Sequence, residues 1–176
     1  VLRDYPGDFE SLHILGAVYQ KLGQMQRAEG CFRKALEARP DSLTAYLNLG
    51  SILIYEGRFE EALSFLERGI AINGRYVDLH INRGSALRCM GRHEEALKSF
   101  ETAVSLDQNS ATAHWNTALC RLTLGDFKAG WAEHEWRWKL GAVVPWKGKI
   151  DRPCWLGAES LAGKTIMLRC EYGLGD

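Results

Sequence analysis

The sequence of 176 residues has little proline, few cysteines, no net charge and no long apolar run. Its 22 basic and 22 acidic side chains cancel, so no excess of positive charge predicts a nucleic-acid partner. No apolar stretch approaches the roughly 18 residues that a membrane span needs, and the N-terminus has no secretory signal pattern. These absences predict a cytoplasmic chain that binds neither nucleic acid nor a membrane.

The five cysteines are odd in number, widely spaced and never in a C-x-x-C pair; they are Cys31, Cys89, Cys120, Cys154 and Cys170. This pattern predicts reduced thiols in a reducing compartment, packed for the most part like small apolar residues. Cysteine and histidine nowhere cluster with the spacing of metal ligands. We therefore expect no metal, no cofactor and no catalytic residue in this chain.

A period of 34 residues is the strongest feature of the sequence. Three series of small residues keep it: Gly16, Gly50, Gly84 and Ala118; Gly23, Gly57, Gly91 and Gly125; and Ala28, Ala62, Ala96 and Gly130. Apolar residues between them recur at helical spacing. A repeat of this length predicts an all-α fold in which helical pairs stack and share one core.

The glycines have a physical reason at two places in each repeat. Gly50 and Gly84 fall inside the predicted first helices, where glycine costs about 1 kcal/mol relative to alanine. That cost is explained if the second helix crosses so closely that a side chain would collide. Gly57 and Gly91 follow the first helices, where a left-handed conformation suits glycine.

The first repeat carries Leu12-x-x-Leu15-Gly16-x-x-Tyr19, then Ala28-x-x-x-Phe32, then Pro40. In these positions it resembles the tetratricopeptide repeat (TPR). The resemblance implies a right-handed superhelical solenoid of helix-turn-helix units whose concave face is lined by the first helices. We place four repeats at 9–42, 43–76, 77–110 and 111–140, and interpret residues 1–7 as the tail of a preceding, truncated repeat. Such a solenoid is expected to be a non-catalytic scaffold for a protein or peptide ligand.

Asn48, Asn82 and Asn116 recur at the 34-residue step on first helices. They resemble the asparagine ladder that grips peptide backbone in O-linked N-acetylglucosamine transferases, because an amide both donates and accepts hydrogen bonds. The alternative is that they bond within the scaffold. Around them the predicted peptide-binding groove presents further side chains, namely His13, Lys21, Tyr55, Arg88 and Trp115.

Co-chaperones with this repeat hold a chaperone C-terminus through lysines, asparagines and an arginine. The corresponding residues here are His13, Ala17, Asn48, Asp78 and Asn82. Only Asn48 fits, and Asp78 would repel a carboxylate, so that ligand is not expected. His80 and His114 occupy the place of a large packing residue, which predicts a role in the core.

Tryptophans concentrate after the third repeat; five lie between residues 126 and 155, at Trp131, Trp136, Trp138, Trp146 and Trp155. The second helix of the fourth repeat is predicted over 126–140, followed by a tryptophan-containing linker over 141–164. Either the tail at 141–160 buries these side chains, or they form a docking surface for another domain or subunit. Residues 165–176 read as one β-strand and a glycine-rich loop that begin a truncated domain.

The run Gly125-Asp126-Phe127, with Gly130-Trp131 and Trp136-Arg137-Trp138 after it, resembles the last repeat of bacterial TPR proteins fused to a heptosyltransferase-like domain. Trp155-x-Gly157 and Glu171-x-Gly173-Leu174-Gly175-Asp176 extend the resemblance. It implies an alternative function, a regulatory or substrate-positioning module of a glycosyltransferase, in which Asp176 would match the base. Tyr172 stands where that family has glutamine. We also expect that truncated solenoid ends, which expose apolar surface, allow the chain to self-associate.

Overall fold

The computed structural model describes residues 8–140, and this part of the chain contains helices and no strand. The eight α-helices are α1 (Phe9–Lys21), α2 (Met25–Ala38), α3 (Leu43–Tyr55), α4 (Phe59–Ile72), α5 (Val77–Cys89), α6 (His93–Leu106), α7 (Ala111–Thr123) and α8 (Phe127–His134). A short 3-10 helix (Glu135–Lys139) follows. The all-α prediction is confirmed, whereas the predicted strand and loop at 165–176 lie outside the described residues.

The helices form four successive pairs, each packed on the next. Within a pair the first helix contacts the second, and each second helix contacts the first helix of the following pair. First helices also contact one another, as α3 does with α5 and α5 with α7. This is the predicted solenoid of helix-turn-helix units; its superhelical hand stays a prediction.

The glycines inside the first helices lie where the second helix crosses closely. A Cβ atom built on Gly50 would be 2.6 Å from Leu66 Cδ2, and one on Gly84 would be 2.6 Å from Phe100 Cε1. Both distances are far below van der Waals contact, and Leu66 and Phe100 are fully buried. The predicted reason for these glycines, close helix crossing, is therefore confirmed.

The turns between paired helices also require glycine. Gly57 has φ of +77° and Gly91 has φ of +75°, a region that side chains disfavour. In the first of these turns Arg58 N–H donates to the Leu53 carbonyl at 2.8 Å, which satisfies a carbonyl at the end of α3. The turn is therefore a compact cap that sends the chain directly into the second helix.

The fourth pair departs from the prediction. Its second helix was expected over 126–140, but α8 ends at His134 and the chain continues as the 3-10 helix. Such tightening is frequent at helix ends. Gly130 replaces the alanine of the other repeats because α8 lies so close to α7 that a Cβ atom would be 2.7 Å from Leu122 Cδ2.

Candidate functional site

All eight residues predicted to bind a peptide lie on first helices. We call the side chains that α1, α3, α5 and α7 leave accessible the first-helix surface. The structure places His13 and Lys21 on α1, Asn48 and Tyr55 on α3, Asn82 and Arg88 on α5, and Trp115 and Asn116 on α7. Because α3 contacts α5 and α5 contacts α7, and Asn48 of α3 bonds His13 of α1, these residues follow one another across neighbouring helices.

Two of the predicted asparagines link neighbouring first helices. Asn48 Nδ2 lies 3.2 Å from His13 Nε2, which joins α3 to α1. Asn82 Nδ2 donates to Ser51 Oγ at 2.7 Å, which joins α5 to α3. Both asparagines are half-buried. They therefore fasten one repeat to the next, the alternative that the sequence left open.

Asn116 bonds differently. Its Nδ2 donates at 2.9 Å to the carbonyl of Thr112, in its own helix. In the described part of the chain the Oδ1 atom of none of the three asparagines accepts a hydrogen bond, so each can accept one from a bound backbone N–H. The scaffold bonds use the amide nitrogen, and the peptide-binding role of these asparagines stays a prediction.

The remaining predicted residues differ in how accessible they are. His13 is half-buried, with its ring stacked 5.7 Å from Phe9 and edge-on 5.5 Å from Phe32. Tyr55 is 75% exposed, and Lys21 is exposed with no ion-pair partner between residues 8 and 140. Tyr55 is therefore a large aromatic side chain presented to solvent on the first-helix surface.

Arg88, in the last turn of α5, is half-buried and makes no hydrogen bond or ion pair with the described residues. Its Nε atom is enclosed and has no acceptor. Burial raises the pKa of the Cys120 thiol on α7, and the charge of Arg88 partly opposes that rise. The guanidinium therefore has no counter-charge among residues 8–140.

Trp115 leads into an aromatic group at the end of the described chain. Its ring centroid is 4.6 Å from that of His134, and the Trp131 ring meets His134 at 5.2 Å. Trp131 is 58% exposed and Phe127 is 61% exposed. Residues 141–160 lie outside the described residues, so the choice between a covering tail and a docking surface stays open.

Tyr46, His80 and His114 occupy the same position of their repeats, and each ring bonds a backbone carbonyl of the preceding turn. Tyr46 Oη donates to the Pro40 carbonyl at 3.1 Å. His80 Nε2 lies 2.8 Å from the Gly74 carbonyl, and His114 Nε2 lies 3.0 Å from the carbonyl of Gln108. Each ring anchors its helix to the turn six residues earlier. His114 is buried, which agrees with the predicted core role, whereas His80 is only half-buried.

His114 makes further contacts that the sequence did not indicate. Its Nδ1 atom bonds the carboxylate of Glu133 in α8. Its ring stacks on Trp136 with centroids 3.8 Å apart and planes 5° from parallel. Lys139 Nζ lies 3.4 Å from the centre of that indole. His114 therefore ties α7 to α8 and to the 3-10 helix.

An ion-pair cluster joins the second helices α2 and α4; its members are Glu29, Arg33, Glu56, Arg58 and Glu61. Arg58 Nη1 lies 2.8 Å from Glu29 Oε2 and 2.9 Å from Glu56 Oε2. Arg58 Nη2 is 2.6 Å from Glu61 Oε2, and Arg33 pairs with both Glu29 and Glu61. Each guanidinium in this cluster is satisfied by carboxylates.

The cluster changes the acidity of its carboxylates. Burial tends to raise the pKa of Glu29, but hydrogen bonds from Arg58 and Arg33 outweigh it and hold that pKa below its ordinary value. Hydrogen bonds from Arg33 and Arg58 likewise lower the pKa of Glu61. Both carboxylates therefore stay ionised in the fold to lower pH than in an unfolded chain.

The cysteines and the other predicted absences can be checked for residues 8–140. Cys31 and Cys120 are buried, burial raises the pKa of both thiols, and Cys89 is exposed and unpaired. Within this range no group of histidine, cysteine and carboxylate side chains could hold a metal ion. None of the described helices is both long enough and apolar enough to cross a membrane.

An apolar row on α1 and its C-cap residue is exposed: Ile14 is 62%, Val18 46% and Leu22 64% accessible. In the next repeat the place of Val18 is taken by Ile52, which is 1% exposed. The row therefore lies where a preceding helical pair would pack. Self-association through this end of the solenoid stays a prediction.

Comparison with known families agrees with the geometry. A sequence-family model described as tetratricopeptide repeat matches residues 7–74, and a second family model described as TPR repeat matches residues 84–125. A protein described as CTR9 homolog from Arabidopsis thaliana is 41% identical over 54 residues. That match covers 31% of this chain and 5% of the relative.

Two solved structures show how far the likeness of fold extends. A crystal structure of MamA superposes with a TM-score of 0.70 at 25% identity, covering 78% of this chain and 81% of MamA. The first TPR of Spaghetti (RPAP3), bound to the HSP90 peptide SRMEEVD, superposes with a TM-score of 0.64 at 26% identity. It covers 66% of this chain and 93% of its own.

Proposed function

We propose that this chain, which is built of tetratricopeptide repeats, is a protein-protein interaction scaffold that binds a peptide segment along the first-helix surface. It acts by binding and performs no catalytic step of its own. The observation that carries the proposal is the accessibility of that surface. Tyr55 is 75% exposed there, and Lys21 and Arg88 have no counter-charge within residues 8–140.

The fold supports a ligand in extended form. Successive first helices present side chains at equivalent repeat positions. A peptide segment that lies across these helices therefore meets a new set of side chains at each repeat. RPAP3, whose repeat superposes on this chain, is bound to a peptide. The specific chaperone peptide is not carried over, because Asp78 and Ala17 occupy positions where that ligand's carboxylate needs donors.

A display library of random peptides, selected on the purified full chain, tests the proposal. Affinities of the selected peptides are measured by fluorescence polarisation for the wild type and for Tyr55→Ala. An exposed aromatic side chain at the centre of a binding surface typically contributes about tenfold or more in affinity. We therefore expect at least that loss on removing Tyr55.

Ile72→Ala is the matched control, since Ile72 is 47% exposed but lies at the end of a second helix. Its affinity should equal that of the wild type. If no peptide is selected, or if Ile72→Ala weakens binding while Tyr55→Ala does not, the first-helix surface is not the binding site.

The alternative function, a module of a bacterial glycosyltransferase, depends on residues up to 176. The family matches end at residue 125, and residues 141–176 lie outside the described part of the chain. The proposed roles of Asp176 and of the glycine-rich loop therefore stay predictions.

A further inference from the structure

The arginines of the described chain fall into two groups by their partners. Six are buried or half-buried, and five of these lie against a carboxylate: Arg33, Arg58, Arg83, Arg121 and Arg137. The sixth is Arg88, which has none within residues 8–140. Withdrawing a guanidinium from water without a counter-charge is unfavourable, so this exception calls for a partner that the described residues do not supply.

The position of Arg88 in the repeat shows that the fold does not need a charge there. The equivalent residues in the second and fourth repeats are Ile54 and Leu122. Ile54 packs against the buried residues of the core, and the Leu122 side chain lies where a Cβ atom on Gly130 would fall. An apolar side chain therefore satisfies the packing at this position, and arginine adds a function that packing does not explain.

The state of the guanidinium favours an anionic ligand. Nε of Arg88 is enclosed without an acceptor, whereas its two terminal nitrogens are not enclosed. Those two nitrogens form the fork that binds a carboxylate in bidentate fashion. Arg88 lies on α5, so a first helix continues the surface on both sides, α3 before it and α7 after it. A ligand can extend past Arg88 in both directions.

We propose that Arg88 is the specificity-determining residue of the first-helix surface and that it binds the carboxylate of an aspartate or glutamate side chain within the ligand peptide. The inference rests on the proposed function and adds the chemistry of the partner. A side-chain carboxylate is favoured over a C-terminal one, because the surface continues beyond Arg88 on both sides.

The test uses peptides selected on the full chain from the random display library. We expect an acidic residue to be enriched at one fixed place in the selected peptides. Replacing that residue by its amide in a synthetic peptide should weaken binding by about tenfold or more, the size of a charge-assisted hydrogen-bonded pair. Amidation of the peptide C-terminus should leave affinity unchanged.

The matching protein variant is Arg88→Leu, which installs the residue that the fourth repeat has at this position. It should lower affinity for the acidic peptide by the same factor and cause no further loss with the amide peptide. Arg75→Leu removes an equal charge from an exposed loop residue and should change neither affinity. Thermal unfolding of Arg88→Leu should be no easier than that of the wild type, which separates lost binding from lost folding.

The possible results separate the two claims. If the selected peptides show no preference for an acidic residue, the role of Arg88 is overturned and the scaffold proposal stands. The same holds if the affinity lost through Arg88→Leu and the affinity lost through the amide peptide add in full when the two changes are combined. Loss of binding only on C-terminal amidation replaces the side-chain ligand by a peptide terminus and overturns the proposal as stated. Failure to select any peptide overturns both claims.

Discussion

Arg88 on the first-helix surface and Arg58 in the ion-pair cluster of α2 and α4 differ in the partners that the fold gives them. In the cluster, Arg58 has three carboxylate partners within 2.9 Å, so its bonding capacity is used within the fold. On the first-helix surface, Arg88 has no such partner in the described residues. The comparison teaches that the cluster uses charge to hold α2 and α4 together, whereas Arg88 keeps a charge that no described residue neutralises.

Both regions depend on the same close packing of first on second helices. Gly84→Val is the change that should break this packing most severely, because its Cβ atom would lie 2.6 Å from a ring carbon of the fully buried Phe100. We expect a loss of about 3 kcal/mol in the free energy of unfolding, measured by urea denaturation. Unfolding of the third repeat would then remove the difference between the first-helix surface and the ion-pair cluster.

Gly30→Ala is the control for that experiment. Gly30 lies in α2 and a Cβ atom on it would have no neighbour within 4 Å. Since alanine favours a helix by about 1 kcal/mol over glycine, this variant should be more stable than the wild type. A Gly84→Val protein as stable as the wild type would contradict the close crossing itself.

The second prediction compares the two arginines directly by their effect on stability. Arg58→Met should lower the free energy of unfolding by about 1 kcal/mol, allowing for the solvent screening of a side chain that is 39% exposed. Arg88→Leu should leave stability unchanged or raise it, since it removes a guanidinium that has no counter-charge in the described part of the chain. Urea denaturation of the two variants under one set of conditions measures the difference. Equal destabilisation by both would remove the contrast on which the proposed ligand chemistry depends.

The sequence predicted the repeats well because they depend on short-range spacing. Gly50 and Gly84 indicated the helix crossing, and Gly57 and Gly91 indicated the turns, from the 34-residue period alone. The end of α8 at His134 was not predicted. Helical spacing continues through Trp138, and the change to a 3-10 helix depends on local contacts that the spacing does not record.

The site was less predictable, because its bonds join side chains about one repeat apart. Asn82 bonds Ser51 across 31 residues, and Arg58 bonds Glu29 across 29. The period does not reveal the second pair, since Arg92 repeats Arg58 but Leu63 stands where Glu29 would recur. Only the coordinates of both helices show which charges meet and which, like Arg88, find no partner within residues 8–140.

The smallest expected effect is the pH dependence that the ion-pair cluster should confer. The pKa of Glu29 is lower in the folded chain than its ordinary value of 4.5, so the unfolded chain binds its proton at higher pH than the folded chain does. The stability that Glu29 contributes is thus fully present above about pH 5 and is lost as pH falls through the folded pKa.

Glu29→Gln should lower stability at neutral pH and flatten its decline below pH 5, so that the variant and wild-type curves converge in acid. Glu37→Gln, on the same helix but exposed and without an ion pair in residues 8–140, should follow the wild type throughout. Urea denaturation from pH 7 to pH 3 measures all three curves, and a wild-type decline that Glu29→Gln leaves unchanged would show that other groups carry it.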